Sequence, residues 1–184
     1  MNEITMKVAL EVAHHEAVIR QAYKDSVGVW TWSVGLTSNS GHRVERYIGK
    51  PQPMGYCLAV WIWAMAKYAN TVSDVMGSDL PENVFAAALS FHWNTGAIRR
   101  ASWVRAFKAG DMRNAERRFM LYRNPPEIIG RRKAEADLLF RGKWSNTGEM
   151  LEFTRLTRRN TPDWSSGRKF DARPILRPIM EEAK

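Results

Sequence analysis

Residues 54–76, MGYCLAVWIWAMAKYANTVSDVM, constrain this chain more than any other stretch. They follow Pro51 and Pro53, and their apolar residues surround nearly the whole circumference of the helix that their spacing predicts. Such a helix is buried on most sides, so other elements must pack around it. The uncharged run 51–66 includes both prolines and Gly55. It is too short for a bilayer, which takes about 20 apolar residues. The segment therefore reads as the entry into a buried helix.

Residues 4–20 also show helical spacing. Ile4, Val8 and Val12 recur every four residues, and Glu16 is the next position on that stripe. Tyr23–Gly28 then reads as turn chemistry, Val29–Val34 as a strand, Thr37–Gly41 as a strong turn and Arg43–Ile48 as the return strand of a hairpin. Further on, Asp79–Glu82 marks a helix start with Pro81 in its first turn, and Asn94–Thr95–Gly96 stops that helix. Helices are predicted again at about 102–109, 112–122 and 127–140, the last ending at Gly142. The sum is an α+β chain, mostly α, with one small N-terminal β-hairpin. Residues 145–184 differ in character, with Pro162, Pro174, Pro178, several arginines and few large aliphatics. They predict a short helix at 149–157 and otherwise an irregular basic extension, packed on the domain or partly disordered.

A chain of 184 residues suits one domain, or two small lobes sharing a helix. A single cysteine, Cys57, excludes an internal disulfide framework; it lies in an apolar run with no evident base partner, which argues against a cysteine peptidase. The four histidines show no metal-ligand spacing, so no metal or cofactor is expected and a zinc amidase is disfavoured. The net charge of +9 attracts anionic partners. Zinc-finger, ribonucleoprotein and zipper signatures are missing, so nucleic acid is not the expected one. Glu3, Lys7 and Glu11 break any signal-peptide core at the start.

Glu16, Asp25 and Thr31 carry the chemistry that these elements permit. Glu16 is expected at a helix end, Asp25 in the following turn and Thr31 on the first strand, so a helix-to-hairpin reversal would gather them. Glycosidic cleavage requires a protonated acid at the leaving oxygen and a second group on the anomeric side. An apolar stripe under Glu16 and a polar turn around Asp25, next to Lys24, would separate the two carboxyls in the required sense. Spacing alone leaves a plainer reading open, because helix ends and polar turns often contain a Glu and an Asp.

The segment HEAVIRQAYKDSVGVWTWSVG, 15–34 with Gly35, resembles the active-site segment of the phage-type lysozymes, glycoside hydrolase family 24. The family pattern is Glu, eight residues, Asp or Cys, five residues, Thr, and Glu16, Asp25 and Thr31 match it, with Tyr23 and Gly28 also in place. AALSFHWNTGA (87–97) is similar to the family's Ser-Phe-x-x-Asn-x-Gly helix, and GRRKAEADLLFRGKW (130–144) to its Arg-Arg-x-Ala-Glu-x-x-Leu-Phe helix. The resemblance covers roughly 5–144. It implies a two-lobed lysozyme-like α+β fold, with a catalytic domain at 1–144, a hairpin lobe at about 20–50 and a helical lobe at about 54–144. It also implies hydrolysis between N-acetylmuramic acid and N-acetylglucosamine, with Glu16 as general acid and Asp25 and Thr31 holding a water, which suggests inversion. Trp93 and Asn94 fall where the family lines its cleft, and Arg132 where it places an arginine near the catalytic Glu.

The sequence departs from the family at Ser33, in place of a glycine, and at Leu36, in place of a histidine; His42 lies six residues later. Altered hairpin packing is expected there. Trp61 and Trp63 are expected in the core, while Trp30 and Trp32 alternate with Thr31 and pack the hairpin. The tail arginines Arg155, Arg158, Arg159, Arg168, Arg173 and Arg177 read either as a solvated face with local ion pairs or as contacts to anionic wall polymer or outer-membrane phosphates. The expected protein is a monomeric endolysin that accumulates in the host cytoplasm and acts on the cell wall. A lytic transglycosylase and a non-catalytic wall-binding or virion protein remain as alternatives.

Overall fold

The computed structural model describes residues 2–182. The chain divides into two compact units, Met1–Val12 with Ala66–Ser145, and Ala13–Met65 with Asn146–Lys184. Helices α1 (Met6–His14) and α2 (Met54–Met76) have residues in both.

The second unit is built on a five-stranded sheet of order β3-β2-β1-β4-β5. Its strands are β1 (Ala17–Lys24), β2 (Trp30–Ser33), β3 (Leu36–Thr37), β4 (Glu149–Phe153) and β5 (Gly167–Asp171). β1 pairs antiparallel with β2 and parallel with β4, while β4 and β5 form a hairpin. This corrects the helical reading of 4–20. The stripe through Val8 and Val12 is buried, but the helix ends at His14. The chain then turns at His15–Glu16, and the Glu16 amide donates to the Ala13 carbonyl at 3.0 Å. From Ala17 the β-branched Val18 and Ile19 favour a strand. Glu16 therefore lies beyond the stripe, and Thr31 sits on the second strand.

Other expectations change as well. Val44–Tyr47 forms a 3-10 turn in place of the return strand expected over 43–48. It presents Tyr47 to Trp32, with ring centroids 4.1 Å apart. β1 itself supplies the antiparallel partner of β2. The region 145–184 holds two strands and helix α7 (Arg173–Glu182) in place of a short helix at 149–157 and an irregular tail. Met150, Glu152 and Phe153 are buried, and Glu152 hides the reason: it is a charge at a core position, which masks the strand's inward face. Its Oε1 accepts from Arg20 Nε on β1 at 2.9 Å, and its Oε2 from Arg168 Nε on β5 at 2.8 Å. α2 has the predicted bounds, and Trp61 is fully buried, but Trp63 is 58% exposed and does not belong to the core.

The first unit is helical, with α3 (Glu82–Thr95), α4 (Ser102–Lys108), α5 (Met112–Phe119) and α6 (Ile129–Arg141). Phe91 centres its core, with Trp103, Phe119 and Tyr122 at 5.3, 5.1 and 4.9 Å between ring centroids. α3 begins after Pro81 and ends on Gly96, whose φ of +63° closes the helix. No helix among the described residues is long and apolar enough to cross a membrane.

Two buried polar side chains, Glu152 and His92, bear on the stability of the fold. Glu152→Ala strips two charged donors of their acceptor, and its stability should fall by about 1–3 kcal/mol in urea titration. Lys169→Ala, in the exposed pair with Glu149, should leave the midpoint unchanged. His92 on α3 is 8% exposed, beside the ring of Tyr68, and its Nδ1 has no partner. Burial, then Arg99, lowers its pKa from 6.5 to about 4. The unfolded chain takes up this proton below pH 6.5 while the fold refuses it until about 4, so stability falls as pH drops through that window. His92→Phe should remove up to about 3 kcal/mol of that acid sensitivity, read as Tm against pH.

Candidate active site

The loop between β1 and β2 is wound around one carboxylate. Asp25 Oδ1 accepts from the amides of Val27 at 3.0 Å and Val29 at 2.9 Å, while the Asp25 amide donates to the Val29 carbonyl at 3.0 Å. Gly28, at φ +83°, takes a conformation that favours glycine. Asp25 is half-buried, and its Oδ2 has no bonding partner among the described residues. The carboxylate is thus oriented by main-chain donors, with one oxygen left for a ligand.

Thr31 lies opposite Tyr23 across the β1–β2 ladder and opposite Thr37 on β3. It is 4% exposed, and its Oγ1 donates to the Val29 carbonyl at 3.1 Å. With its hydrogen so engaged, Oγ1 faces any incoming water as an acceptor. The ladder shifts register between Ile19 and Tyr23, and this bulge brings Tyr23 level with Thr31.

Tyr23 lies one residue before the end of β1. Its phenol is driven far above its ordinary pKa, first by burial and then by the negative charges of Glu16 and Asp25. Glu16 approaches from the half-buried bend after α1. Tyr23 was visible in the sequence only as a family position; its alternation with Asp25 at a strand end is the local signal that marks it.

The two family departures have structural explanations. Ser33 adopts φ +55°, in the left-handed region where the family has glycine. Its Oγ donates to the Cys57 carbonyl at 2.8 Å, a buried bond that offsets the strain. Leu36 fills the histidine position as a buried apolar residue. His42 stacks on Trp32, centroids 5.5 Å apart, and its Nε2 bonds the Tyr47 hydroxyl at 2.9 Å. Trp32 Nε1 in turn donates to the Arg20 carbonyl at 2.9 Å.

Trp93, Asn94 and Arg132 are gathered in the first unit. Trp93 is half-buried against Tyr68, with centroids 4.8 Å apart, and Asn94 is exposed. Arg132 has no exposed surface. It donates from Nε to the Tyr122 carbonyl at 2.8 Å, from Nη1 to Glu135, and from Nη2 to Asn94 Oδ1 at 2.6 Å. Glu135 also accepts from Ser90 Oγ and Arg131 Nε. Arg132 is therefore a buried post that turns the Asn94 carboxamide, so any effect on a ligand passes through Asn94. No group of three His, Cys, Asp or Glu side chains among the described residues is arranged to hold a metal ion.

Known proteins resemble the chain in sequence and in fold. The SAR-endolysin of Enterobacteria phage PA-2 is 30% identical over 102 residues, which span 54% of this chain and 59% of that protein, so the match covers less than two thirds of the relative's length. The endolysin from Escherichia coli O157:H7 phage FAHEc1 superposes with a TM-score of 0.70 at 17% identity, over 78% of this chain and 97% of its own. A P22 lysozyme variant does so with a TM-score of 0.62 at 21% identity, over 76% and 99%. Both show a shared lysozyme fold. The phage lysozyme family profile matches residues 13–135, well over half of the sequence, and the chain belongs to that family.

Proposed function

We propose that the chain is a muramidase that hydrolyses the glycosidic bond between N-acetylmuramic acid and N-acetylglucosamine in bacterial peptidoglycan. Glu16 is the general acid, and Asp25 and Thr31 hold the attacking water. The observation that carries this reading is the tie of both water-holding groups to one residue: Asp25 Oδ1 accepts from the Val29 amide, and Thr31 Oγ1 donates to the Val29 carbonyl.

The chemistry follows from the hydrogen-bond inventory. A water donating to Asp25 Oδ2 and Thr31 Oγ1 has both hydrogens occupied, so a lone pair is free to attack the anomeric carbon. Glu16 passes its proton to the leaving oxygen as that bond breaks, and Asp25 takes up a proton from the water as it adds. Attack from the face opposite the leaving group inverts the configuration. Trp93 and Asn94 are proposed as sugar contacts, with Arg132 positioning Asn94. A role in host-cell lysis is in keeping with the endolysin name of the similar phage protein, and we propose that the protein acts as a monomer that reaches the wall from the host cytoplasm.

Purified walls test the proposal. Glu16→Gln should lose roughly 10²–10⁴-fold in rate while its Tm stays parental. Thr31→Ala should lose about ten- to a hundredfold, with Thr31→Ser recovering most of it. New reducing muramic acid ends are expected in the fragments. Anhydro ends in their place would make the protein a transglycosylase, and walls bound but not cleared would make it a binder.

A further inference from the structure

The β4–β5 hairpin lies beyond the part of the chain that matches the family, yet it reaches the candidate active site. Between its strands, Leu156 bridges Pro162, and the five residues Thr157–Thr161 close a tight turn. The Thr157 amide donates to the Thr161 carbonyl at 2.8 Å and the Asn160 amide to the Thr157 carbonyl at 3.0 Å, while the two threonine hydroxyls bond each other at 2.8 Å. Asn160 sits at φ +60°, an uncommon conformation for a non-glycine residue. Its carbonyl accepts from the Lys24 amide at 2.7 Å. Lys24 immediately precedes Asp25. The turn is thus fastened to the residue next to the Asp25 carboxylate.

The charges of the hairpin divide into two groups. Arg155 pairs with Asp163, Arg168 with Glu152 and Arg173 with Asp171. Arg158 and Arg159, in the anchored turn, are exposed and have no acidic partner among the described residues. Lys24 adds a third positive charge, its Nζ lying 5.4 Å from the centroid of the Trp30 ring. Two exposed guanidiniums on a turn whose backbone is bonded to Lys24, itself a cation, draw anions to this edge of the sheet.

We infer that this turn is a substrate-recognition element in which Arg158 and Arg159, with Lys24, bind the free carboxylates of the peptide stems on the glycan strand. The inference rests on the muramidase reading, because it takes the strand to lie along Asp25. The sugar backbone of such a strand offers no charge at each bond, whereas its stems offer carboxylates at regular intervals. Guanidinium groups bind carboxylates through paired hydrogen bonds.

The test is the binding of the full chain, carrying Glu16→Gln to keep the walls intact, to purified sacculi and to the same sacculi with their carboxylates amidated by carbodiimide and ammonia. Amidation should weaken binding about three- to tenfold, the scale of two exposed charge contacts. Arg158→Gln with Arg159→Gln should bind native sacculi as weakly as amidated ones and lose nothing further on amidation. A control with Arg113→Gln and Arg117→Gln, which removes equal charge from α5, should keep the full amidation effect. The inference is overturned if the Arg158/Arg159 variant retains that effect, or if the control loses as much as it does. In the Glu16 form with native turnover, the Arg158/Arg159 variant should raise KM and leave kcat unchanged. A parental protein that clears no walls would refute the muramidase reading, and the binding comparison would still decide the role of the turn.

Discussion

Glu152 lies without exposed surface between the guanidiniums of Arg20 and Arg168, and this bridge ties three strands together. A carboxylate removed from water is tolerated only where charged donors replace the lost solvation. β1 is the common element. One of its edges pairs with β2 and so carries the hairpin that positions Asp25 and Thr31. Its other edge is occupied at Ala17 and Val18 by β4, and at Lys24 by Asn160. With both edges engaged, the bend before β1 and the loop after it are held at fixed ends of one strand. Glu16 and Asp25 occupy those two ends.

Elements with a clear apolar period were legible in the sequence. α2 was read to its observed bounds because prolines mark its start and a dense apolar pattern runs through it. α3 was read from Pro81 and Gly96. Misreadings came where two signals overlapped. The four-residue stripe through Val8 and Val12 runs on to Glu16 by arithmetic alone, while the backbone has already turned at His15. β4 was missed because a buried glutamate stands at a core position of a five-residue strand, so its partners, Arg20 and Arg168, are far away in sequence. Trp63 was placed in the core because it shares a helix with Trp61, yet two residues along a helix turn a side chain to another face.

The candidate site was legible as residue types and spacing. Its geometry was not. The turn at Asp25 is local and readable, but the register shift between Ile19 and Tyr23, which sets Tyr23 opposite Thr31, depends on pairing across the sheet, which no local pattern encodes. The same holds for Ser33. A serine at a glycine position looks like damage to the hairpin until its hydroxyl is seen to bond the Cys57 carbonyl on α2. Arg132, a motif position in the sequence, acts in the structure as a buried support for Asn94.

Net charge is a poor guide to what this chain attracts until its internal pairs are subtracted. Arg20, Arg155, Arg168 and Arg173 spend their charge on Glu152, Asp163 and Asp171, and those pairs build the sheet and its hairpin. What remains available is local. A guanidinium already bound to a carboxylate offers an incoming anion little, because the anion must either displace that partner or accept its repulsion. An unpaired one has no such competitor, and a turn already held by backbone bonds adds no loop-ordering cost on binding. On that reasoning the useful positive charge of the β4–β5 hairpin is concentrated at Arg158 and Arg159, on the turn that Asn160 fastens to Lys24, while Arg177 stands apart on α7.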